Sequence, residues 1–187
     1  MSFSKTGFSG RKVLVMGAAR SGLGAAELLL NSGALVTLTD LKPEEKLGDG
    51  LSRIKGHKNL TLHLGRHIPV DFTENEIIVI SPGVPSDHEL IKNAKIYGSK
   101  VISEIELAYH FFTGKIIGIT GTNGKTTSTT LTGEIFKGAE GITSAVSGNI
   151  GFPITSAVLE NPKLDYMITE ISSFQLENIF DFKVIAG

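Results

Sequence analysis

A short stretch near residue 120 carries the residue types that bind a phosphate group. Residues 116–127 read Ile-Ile-Gly-Ile-Thr-Gly-Thr-Asn-Gly-Lys-Thr-Thr, so an apolar run stops abruptly at small and polar residues. Gly121 and Gly124 permit backbone angles and close approaches that a Cβ would block. The backbone N–H groups of such a turn, and of a helix that starts after it, can bind an anion. The chemistry predicted for this stretch is therefore the binding of nucleotide phosphates.

Two side chains of this loop can act on the phosphates directly. Lys125 can reach the terminal phosphates, and the hydroxyl of Thr126 can contact a phosphate-bound Mg²⁺. The strict P-loop pattern requires glycine at position 119, where Ile119 stands, so this is a variant loop. The alternative is a plain glycine-containing turn, but the apolar strand directly before it favours phosphate binding. The residues that we expect to bind the nucleotide are Gly121, Thr122, Asn123, Gly124, Lys125, Thr126 and Thr127.

Two further polar residues follow predicted strands in the second half of the chain. Glu170 comes directly after the strand that we predict at 164–169. A carboxylate at the carboxyl end of a strand, close to a phosphate loop, can hold Mg²⁺ directly or through water. A solvated glutamate is the alternative. Asn149 offers a donor and an acceptor to a polar ligand, although an asparagine between glycines is also an ordinary turn residue.

The first half of the chain opens with a second glycine-containing turn. The apolar run Lys12–Met16 leads into residues 17–22, and a second predicted strand at 35–39 ends at Asp40. A helix between two such strands predicts a Rossmann-like unit with parallel pairing. The dinucleotide-binding fingerprint is incomplete because Ala19 replaces its second glycine, which weakens the interpretation as an NAD(P)-binding domain.

The remaining pattern alternates strands with helices. We expect helices at 23–30, 42–59, 87–97, 104–112 and 127–137, with Ser86 or Asp87 and then Ser103 as N-terminal caps. We expect further strands at 60–64, 76–80, 100–102, 115–119, 142–146, 164–169 and 182–186. The predicted class is α/β, with an N-terminal Rossmann-like parallel-sheet domain at 1–113 and an incomplete P-loop-type ATPase α/β domain at 114–187. Because so small a parallel sheet would be poorly buried, we expect a piece of a longer protein.

Composition narrows the class of protein. The formal charge is -1 and no strongly basic block occurs, so we expect no nucleic-acid partner. There is no cysteine, no signal-peptide pattern and no apolar run near the roughly 18 residues that span a bilayer. We therefore expect a cytoplasmic protein without a membrane partner. We also expect a monomer, although composition does not indicate the oligomeric state. The histidines fall in no motif and are expected on the surface or in loops: His57, His63, His67, His88 and His110.

Assembled, these motifs resemble the Mur ligases of bacterial cell-wall synthesis. The phosphate loop is shared by Mur ligases and folylpolyglutamate synthetases, whereas the Ser-Ser-Phe-Gln-Leu-Glu stretch at 172–177 resembles the member that adds D-glutamate. The segments that carry the resemblance are 17–22, 81–83, 121–127, 148–151 and 170–177.

The resemblance implies roles for particular residues. Lys125 and Glu170 would be catalytic, and Thr126 and Glu170 would form the metal site. Leu41 stands where the family often has a hydroxyl residue. The residues implied for the UDP-substrate are Arg20, Ser21, Asp40, Leu41, Lys42, Ser81, Pro82, Gly83 and Asn149.

The resemblance also implies a reaction with ATP and Mg²⁺ as cofactors. ATP would phosphorylate the L-alanine carboxylate of UDP-N-acetylmuramoyl-L-alanine, and the amine of D-glutamate would then attack the acyl phosphate. A second metal site and the domain that binds D-glutamate would follow Gly187, so we expect this chain to bind substrate without turnover. The alternatives are another Mur ligase, a folylpolyglutamate synthetase, an NAD(P)-binding oxidoreductase domain, or a non-catalytic nucleotide-binding module.

Overall fold

The computed structural model describes residues 5–149 and 152–187. Strands and helices alternate along both halves of the chain. The strands are β1 (Lys12–Met16), β2 (Leu35–Asp40), β3 (Leu60–Leu64), β4 (Ile77–Ile80), β5 (Lys100–Ser103), β6 (Lys115–Ile119), β7 (Ser144–Gly148) and β8 (Tyr166–Glu170). The α-helices are α1 (Arg20–Asn31), α2 (Asp71–Glu74), α3 (Glu89–Ile96), α4 (Glu104–Phe111), α5 (Lys125–Lys137) and α6 (Ile154–Glu160). Short 3-10 helices lie at Lys5–Phe8, Glu44–Lys46, Asp49–Arg53 and Ser173–Leu176.

The strands form two parallel sheets. The first has the order β3-β2-β1-β4-β5, and the second has the order β6-β8-β7. In the first sheet, Val13 of the central strand pairs with Val36 on one side and with Ile77 on the other. β-Branched residues suit such strands because helices cover both faces of the sheet. The predicted α/β class and parallel sheets are confirmed, and each sheet presents the carboxyl ends of its strands along one edge.

One apolar core continues from the first sheet into the second half of the chain. Val15 of β1, Ile105 of α4, Ile154 of α6 and Met167 of β8 are fully buried members of the same cluster. Helix α6 packs on both α1 and α4. The proposed domain boundary between residues 113 and 114 falls between the two sheets, and the apolar core crosses it.

Several predicted elements differ from the structure. Residues 42–59 do not form the expected helix, because only the short 3-10 helices Glu44–Lys46 and Asp49–Arg53 occur there. Residues 182–186 form no regular strand and pair with β6 through a single parallel bridge, Ile117 to Ala186. Helix α6 was not expected. Its buried Ile154 and Val158 are spaced as in an amphipathic helix, but the segment is only seven residues long.

Two predictions about helix starts are corrected in detail. Helix α3 is capped by His88, whose Nδ1 accepts the N–H of Leu90 at 3.2 Å, rather than by Ser86 or Asp87. Helix α4 is capped by Ser103 as expected, through the N–H of Glu106 at 3.4 Å. The carboxylate of Glu106 does not return to Ser103, as a capping box would require, because other donors occupy it.

One expectation about the histidines was wrong. His110 lies in α4 and its side chain is only 2% exposed, so it is a core residue rather than a surface or loop residue.

Within residues 5–149 and 152–187, no helix combines the length and the apolar character that a membrane crossing requires.

Candidate functional site

The predicted phosphate loop is an exposed turn between β6 and α5. Residues 121–124 are exposed, and Gly124 caps α5 with a φ of +75°, a conformation that favours glycine. Helix α5 begins at Lys125, whose Nζ donates to the carbonyl oxygen of Gly121 at 2.8 Å. The ammonium group therefore lies over the same loop whose N–H groups we expect to face a phosphate.

Three predicted site residues meet beside this loop. Glu170 ends β8 and is 2% exposed. Its Oε2 accepts the hydroxyl of Thr126 at 2.9 Å, and its Oε1 accepts the side-chain amide of Asn149 at 3.1 Å. The three residues come from β8, α5 and the turn after β7, so the parallel order of the second sheet brings them together.

This arrangement suits a small, hard cation. Mg²⁺ prefers carboxylate and hydroxyl oxygens and is usually bound by one or two carboxylates plus phosphate oxygens. Glu170 and Thr126 supply oxygen donors of that kind at the end of the phosphate loop. Thr127, the next residue of α5, is exposed on the same helical turn. The donor set therefore fits the metal that the sequence predicts.

The glycine-containing turn after β1 is held by two of the predicted substrate residues. The carboxylate of Asp40 accepts the backbone N–H of Ala18 at 2.6 Å and that of Lys42 at 2.8 Å. The hydroxyl of Ser81 donates to the carbonyl oxygen of Gly17 at 3.2 Å. A Cβ at Gly22 would lie 1.7 Å from that same oxygen, so the tight turn requires glycine there.

A large cavity opens at the carboxyl edge of the first sheet. Its volume is about 570 Å³, and its walls include Arg20, Asp40 and Lys42. Residues 46–50, Arg53 and Phe152 complete much of the lining. Leu41 is 65% exposed and does not line this cavity, so the predicted contact of Leu41 has no counterpart in its walls.

A smaller cavity of about 220 Å³ lies between the two halves of the chain. It brings together six of the nine predicted substrate residues. Asn149 is one of them, and it is also a hydrogen-bond partner of Glu170. The cavity is therefore linked to Thr126 of the phosphate loop through Asn149 and Glu170. The six residues are Arg20, Ser21, Ser81, Pro82, Gly83 and Asn149.

Both halves of the chain match models of known protein families. Residues 11–103 match the model for the Mur ligase MurD-like N-terminal domain, and residues 119–186 match the model for the Mur ligase middle domain. The chain belongs to the Mur ligase family.

Curated Mur ligases are similar over nearly the whole chain. The UDP-N-acetylmuramoylalanine--D-glutamate ligase of Geotalea daltonii is 47% identical over 174 residues, which cover 93% of this chain. The enzyme of the same name from Geobacter sp. strain M21 is 44% identical over 173 residues, or 92% of this chain. In both cases the chain spans 38% of the relative's own length.

Solved Mur ligase structures share the fold at low sequence identity. A murein peptide ligase from Psychrobacter arcticus 273-4 has a TM-score of 0.54 at 15% identity, covering 87% of this chain and 38% of that one. A UDP-N-acetylmuramate:L-alanyl-gamma-D-glutamyl-meso-diaminopimelate ligase from Neisseria meningitides has a TM-score of 0.56 at 15% identity, covering 94% and 56%. At this identity the likeness shows the fold alone.

Gln175 of this Mur ligase chain was not among the predicted site residues. It is 3% exposed and lines the smaller cavity. Its Oε1 accepts the backbone N–H and the hydroxyl of Ser172, at 2.9 and 3.0 Å, which fixes the side-chain amide in place. The sequence carried a signal, since Ser172 and Gln175 have the spacing of a capping box. Lys46 and Arg53 line the larger cavity and were not predicted as site residues either, because their segment was interpreted as a plain polar helix.

Proposed function

We propose that this chain forms the substrate-binding and phosphate-binding parts of a ligase that adds D-glutamate to UDP-N-acetylmuramoyl-L-alanine. The observation that carries the proposal is the double contact of Asn149. Its side-chain amide donates to Glu170 beside the phosphate loop, and the same residue lines the smaller cavity. A nucleotide triphosphate and a sugar nucleotide bound at these two places would therefore be neighbours.

The chemistry requires activation of a carboxylate. A carboxylate is a poor electrophile until one of its oxygens becomes a good leaving group. Transfer of the γ-phosphoryl group of ATP to the L-alanine carboxylate gives an acyl phosphate and ADP. The amine of D-glutamate then attacks the carbonyl carbon, and an amide forms as phosphate leaves.

In this proposal the chain's own residues orient the phosphates and neutralise charge. The N–H groups of residues 121–124 and the Lys125 ammonium would hold the phosphates in line with the acceptor. Thr126 and Glu170 would hold Mg²⁺, which supplies positive charge to the phosphate oxygens when bound. Arg20 and Lys42, which line the larger cavity, would bind the anionic part of the sugar nucleotide.

Binding by the chain itself tests the proposal. Calorimetric titration with UDP-N-acetylmuramoyl-L-alanine is expected to give micromolar-to-millimolar affinity. Arg20→Ala or Lys42→Ala should weaken binding by roughly tenfold, because each removes a charge-assisted contact worth about 1–3 kcal/mol. Lys58→Ala is the matched control, since Lys58 is exposed and lines neither cavity. Flat heats, or equal weakening by the control, would count against the proposed site.

A further inference from the structure

A segment after β8 crosses from the second half of the chain onto the first. We call residues 177–182 the strap. The carbonyl oxygen of Asn178 accepts the backbone N–H of Ser103 at 2.9 Å, and its Oδ1 accepts Nζ of Lys95 at 3.2 Å. Both partners belong to the first half, at the end of β5 and in α3. The strap is therefore bonded to elements that surround the first sheet.

A buried carboxylate of α4 holds the end of the strap. Glu106 Oε2 accepts the backbone N–H groups of Phe180 and Phe182, at 3.0 and 2.9 Å. Oε1 accepts the N–H of Asp181 at 2.9 Å and pairs with Nε2 of His110 at 3.1 Å. Burial alone would raise the pKa of Glu106, but these hydrogen bonds outweigh it and lower the pKa to about 2. The side chain is therefore an ionised acceptor with both oxygens in use.

Beyond the strap the chain returns to the second sheet. The N–H of Ile185 donates to the carbonyl oxygen of Ile116 at 2.9 Å, and the N–H of Gly118 donates to the carbonyl oxygen of Ala186 at 3.0 Å. The contact is close, since a Cβ at Gly118 would lie 2.9 Å from Cγ1 of Val184. Residues 184–186 thus lie along β6, and β6 leads directly into the phosphate loop.

The side chains around His110 are also of the types that bind a metal cation. Glu106, His110 and Asp181 each offer a ligand atom within 4.8 Å of the others. Asp181 Oδ2 is buried and has no hydrogen-bond partner among the described residues, and it lies 3.9 Å from Nε2 of His110. However, three backbone N–H groups already occupy the carboxylate of Glu106, so a cation there would compete with the bonds that hold the strap. Holding the strap is the better-supported role.

We propose that Glu106 is a positioning residue that sets β6, and with it the phosphate loop, against the half of the chain that carries the larger cavity. The side chain acts through the strap and touches neither cavity. Without it, three backbone N–H groups would lose a charged acceptor, and residues 184–186 would lose the anchor that precedes them. Because the role concerns geometry, its test is independent of the proposed ligase activity.

The same substitution two residues apart provides a matched comparison. In Glu106→Gln only one oxygen remains, so at least one pair of donors loses its acceptor and faces an amide NH₂ instead. In Glu104→Gln the single oxygen that accepts from Thr155 can be kept. Both changes remove one buried carboxylate from α4.

Hydrogen exchange measures the effect along the strap and beyond it. In Glu106→Gln, amide exchange should accelerate at least roughly tenfold at 180–182 and also at Ile185 and Gly118, while β1 and β4 keep their protection. In Glu104→Gln these amides should be unchanged. Faster exchange confined to 180–182 would reduce Glu106 to a local cap and overturn the proposal, as would equal loss at β1 and β4.

Spin labels measure the position of the two halves directly. The chain contains no cysteine, so Lys58→Cys and Lys137→Cys, both at exposed positions, can be labelled without background. The distance distribution should shift or broaden in Glu106→Gln and stay as in the parent with Glu104→Gln. An unchanged distribution in Glu106→Gln would contradict the positioning role.

Exchange in the unmodified chain covers the case in which Glu106→Gln does not fold. As denaturant rises, the amides at 180–182, Ile185 and Gly118 should open together, with one free energy and one denaturant slope. Opening of 180–182 at lower denaturant, separately from Ile185 and Gly118, would overturn the proposal.

Discussion

Glu104 and Glu106 are two positions apart in α4, and their buried carboxyls have opposite protonation behaviour. Oε1 of Glu104 accepts the backbone N–H and the hydroxyl of Thr155, at 2.8 and 2.7 Å. Burial raises the pKa of Glu104 to about 7, and these two hydrogen bonds only partly oppose it. Glu106 is also buried, but the hydrogen bond with His110 and those from three backbone N–H groups lower its pKa to about 2. The number of donors decides which carboxyl is charged.

The raised pKa of Glu104 predicts that stability depends on pH. The folded chain holds this proton more tightly than the unfolded chain, in which the pKa is near 4.5. The contribution is therefore complete below about pH 4.5 and is lost as the pH rises through 7. Between pH 5 and pH 8, this group should lower the free energy of unfolding by about 2 kcal/mol.

Urea unfolding at several pH values checks this dependence. Glu104→Gln should remove that part of the pH dependence, because the amide does not titrate. Glu134→Gln, at an exposed position of α5, should keep it. Equal pH dependence in the parent chain and in Glu104→Gln would show that Glu104 does not titrate as expected.

At the scale of elements, helix α5 is fitted closely against β7. Gly133 is buried in the middle of α5, where glycine is a poor helix former. A Cβ at this position would lie 2.3 Å from Cγ2 of Val146, a side chain that is stiff because it is β-branched. The glycine is thus explained by the contact between helix and strand rather than by any requirement of the helix itself.

This contact predicts a destabilising alanine. Gly133→Ala gains about 1 kcal/mol of helix propensity, but the clash with Val146 should cost more, for a net loss of about 1–2 kcal/mol. Adding Val146→Ala should recover most of the Gly133→Ala loss, measured against Val146→Ala alone by chemical unfolding. Gly138→Ala is the control, because a Cβ there makes only ordinary contacts at 3.6 Å or more. If Gly133→Ala left the free energy of unfolding unchanged, β7 would be able to move away from the added Cβ at little cost.

At the scale of the whole molecule, the two sheets share one core and several polar ties. Helix α6 packs on α1 and α4, Thr155 binds Glu104, and the strap binds Glu106. Neither half can lose its structure without exposing apolar surface and buried polar groups of the other. The two cavities that hold most of the predicted substrate residues depend on this arrangement, because both halves line them.

The shared core predicts cooperative unfolding. Scanning calorimetry of the chain should show one transition, with a van't Hoff enthalpy close to the calorimetric enthalpy. Circular dichroism should give the same midpoint. Two resolved transitions would mean that the sheets unfold separately and that the contacts through α6 and the strap are weak.

Much of the fold could be predicted because it depends on local patterns. Apolar runs such as Lys12–Met16 and Lys115–Ile119 form strands within a residue or two of the predicted bounds. Small and polar residues directly after them predicted the turns at which site residues gather. Parallel strands place their carboxyl ends along one edge, so Glu170 and Thr126 could be expected close together before their contact was seen.

Other features depended on partners far away in the sequence. Residues 42–59 have a helix-compatible composition, but in the structure they form short 3-10 turns that wall the larger cavity. Residues 182–186 have the apolar composition of a strand. In the structure they follow the strap and lie along β6, with which they form a single parallel bridge. His110 was predicted to lie on the surface because the sequence does not show what it contacts. In the structure it is buried next to Glu106, a carboxylate that the distant strap covers.

The sequence by itself determined the chemical groups of the candidate site and their order along the strands, because glycine turns, strand ends and a Lys-Thr-Thr helix start are local features. The tertiary structure alone decided which carboxyl has which role. Glu104 and Glu106 are two positions apart in one helix, but Glu104 accepts hydrogen bonds only from Thr155, whereas Glu106 pairs with His110 and also accepts three backbone N–H groups of the second half. Burial therefore raises the pKa of Glu104, while the hydrogen bonds lower that of Glu106.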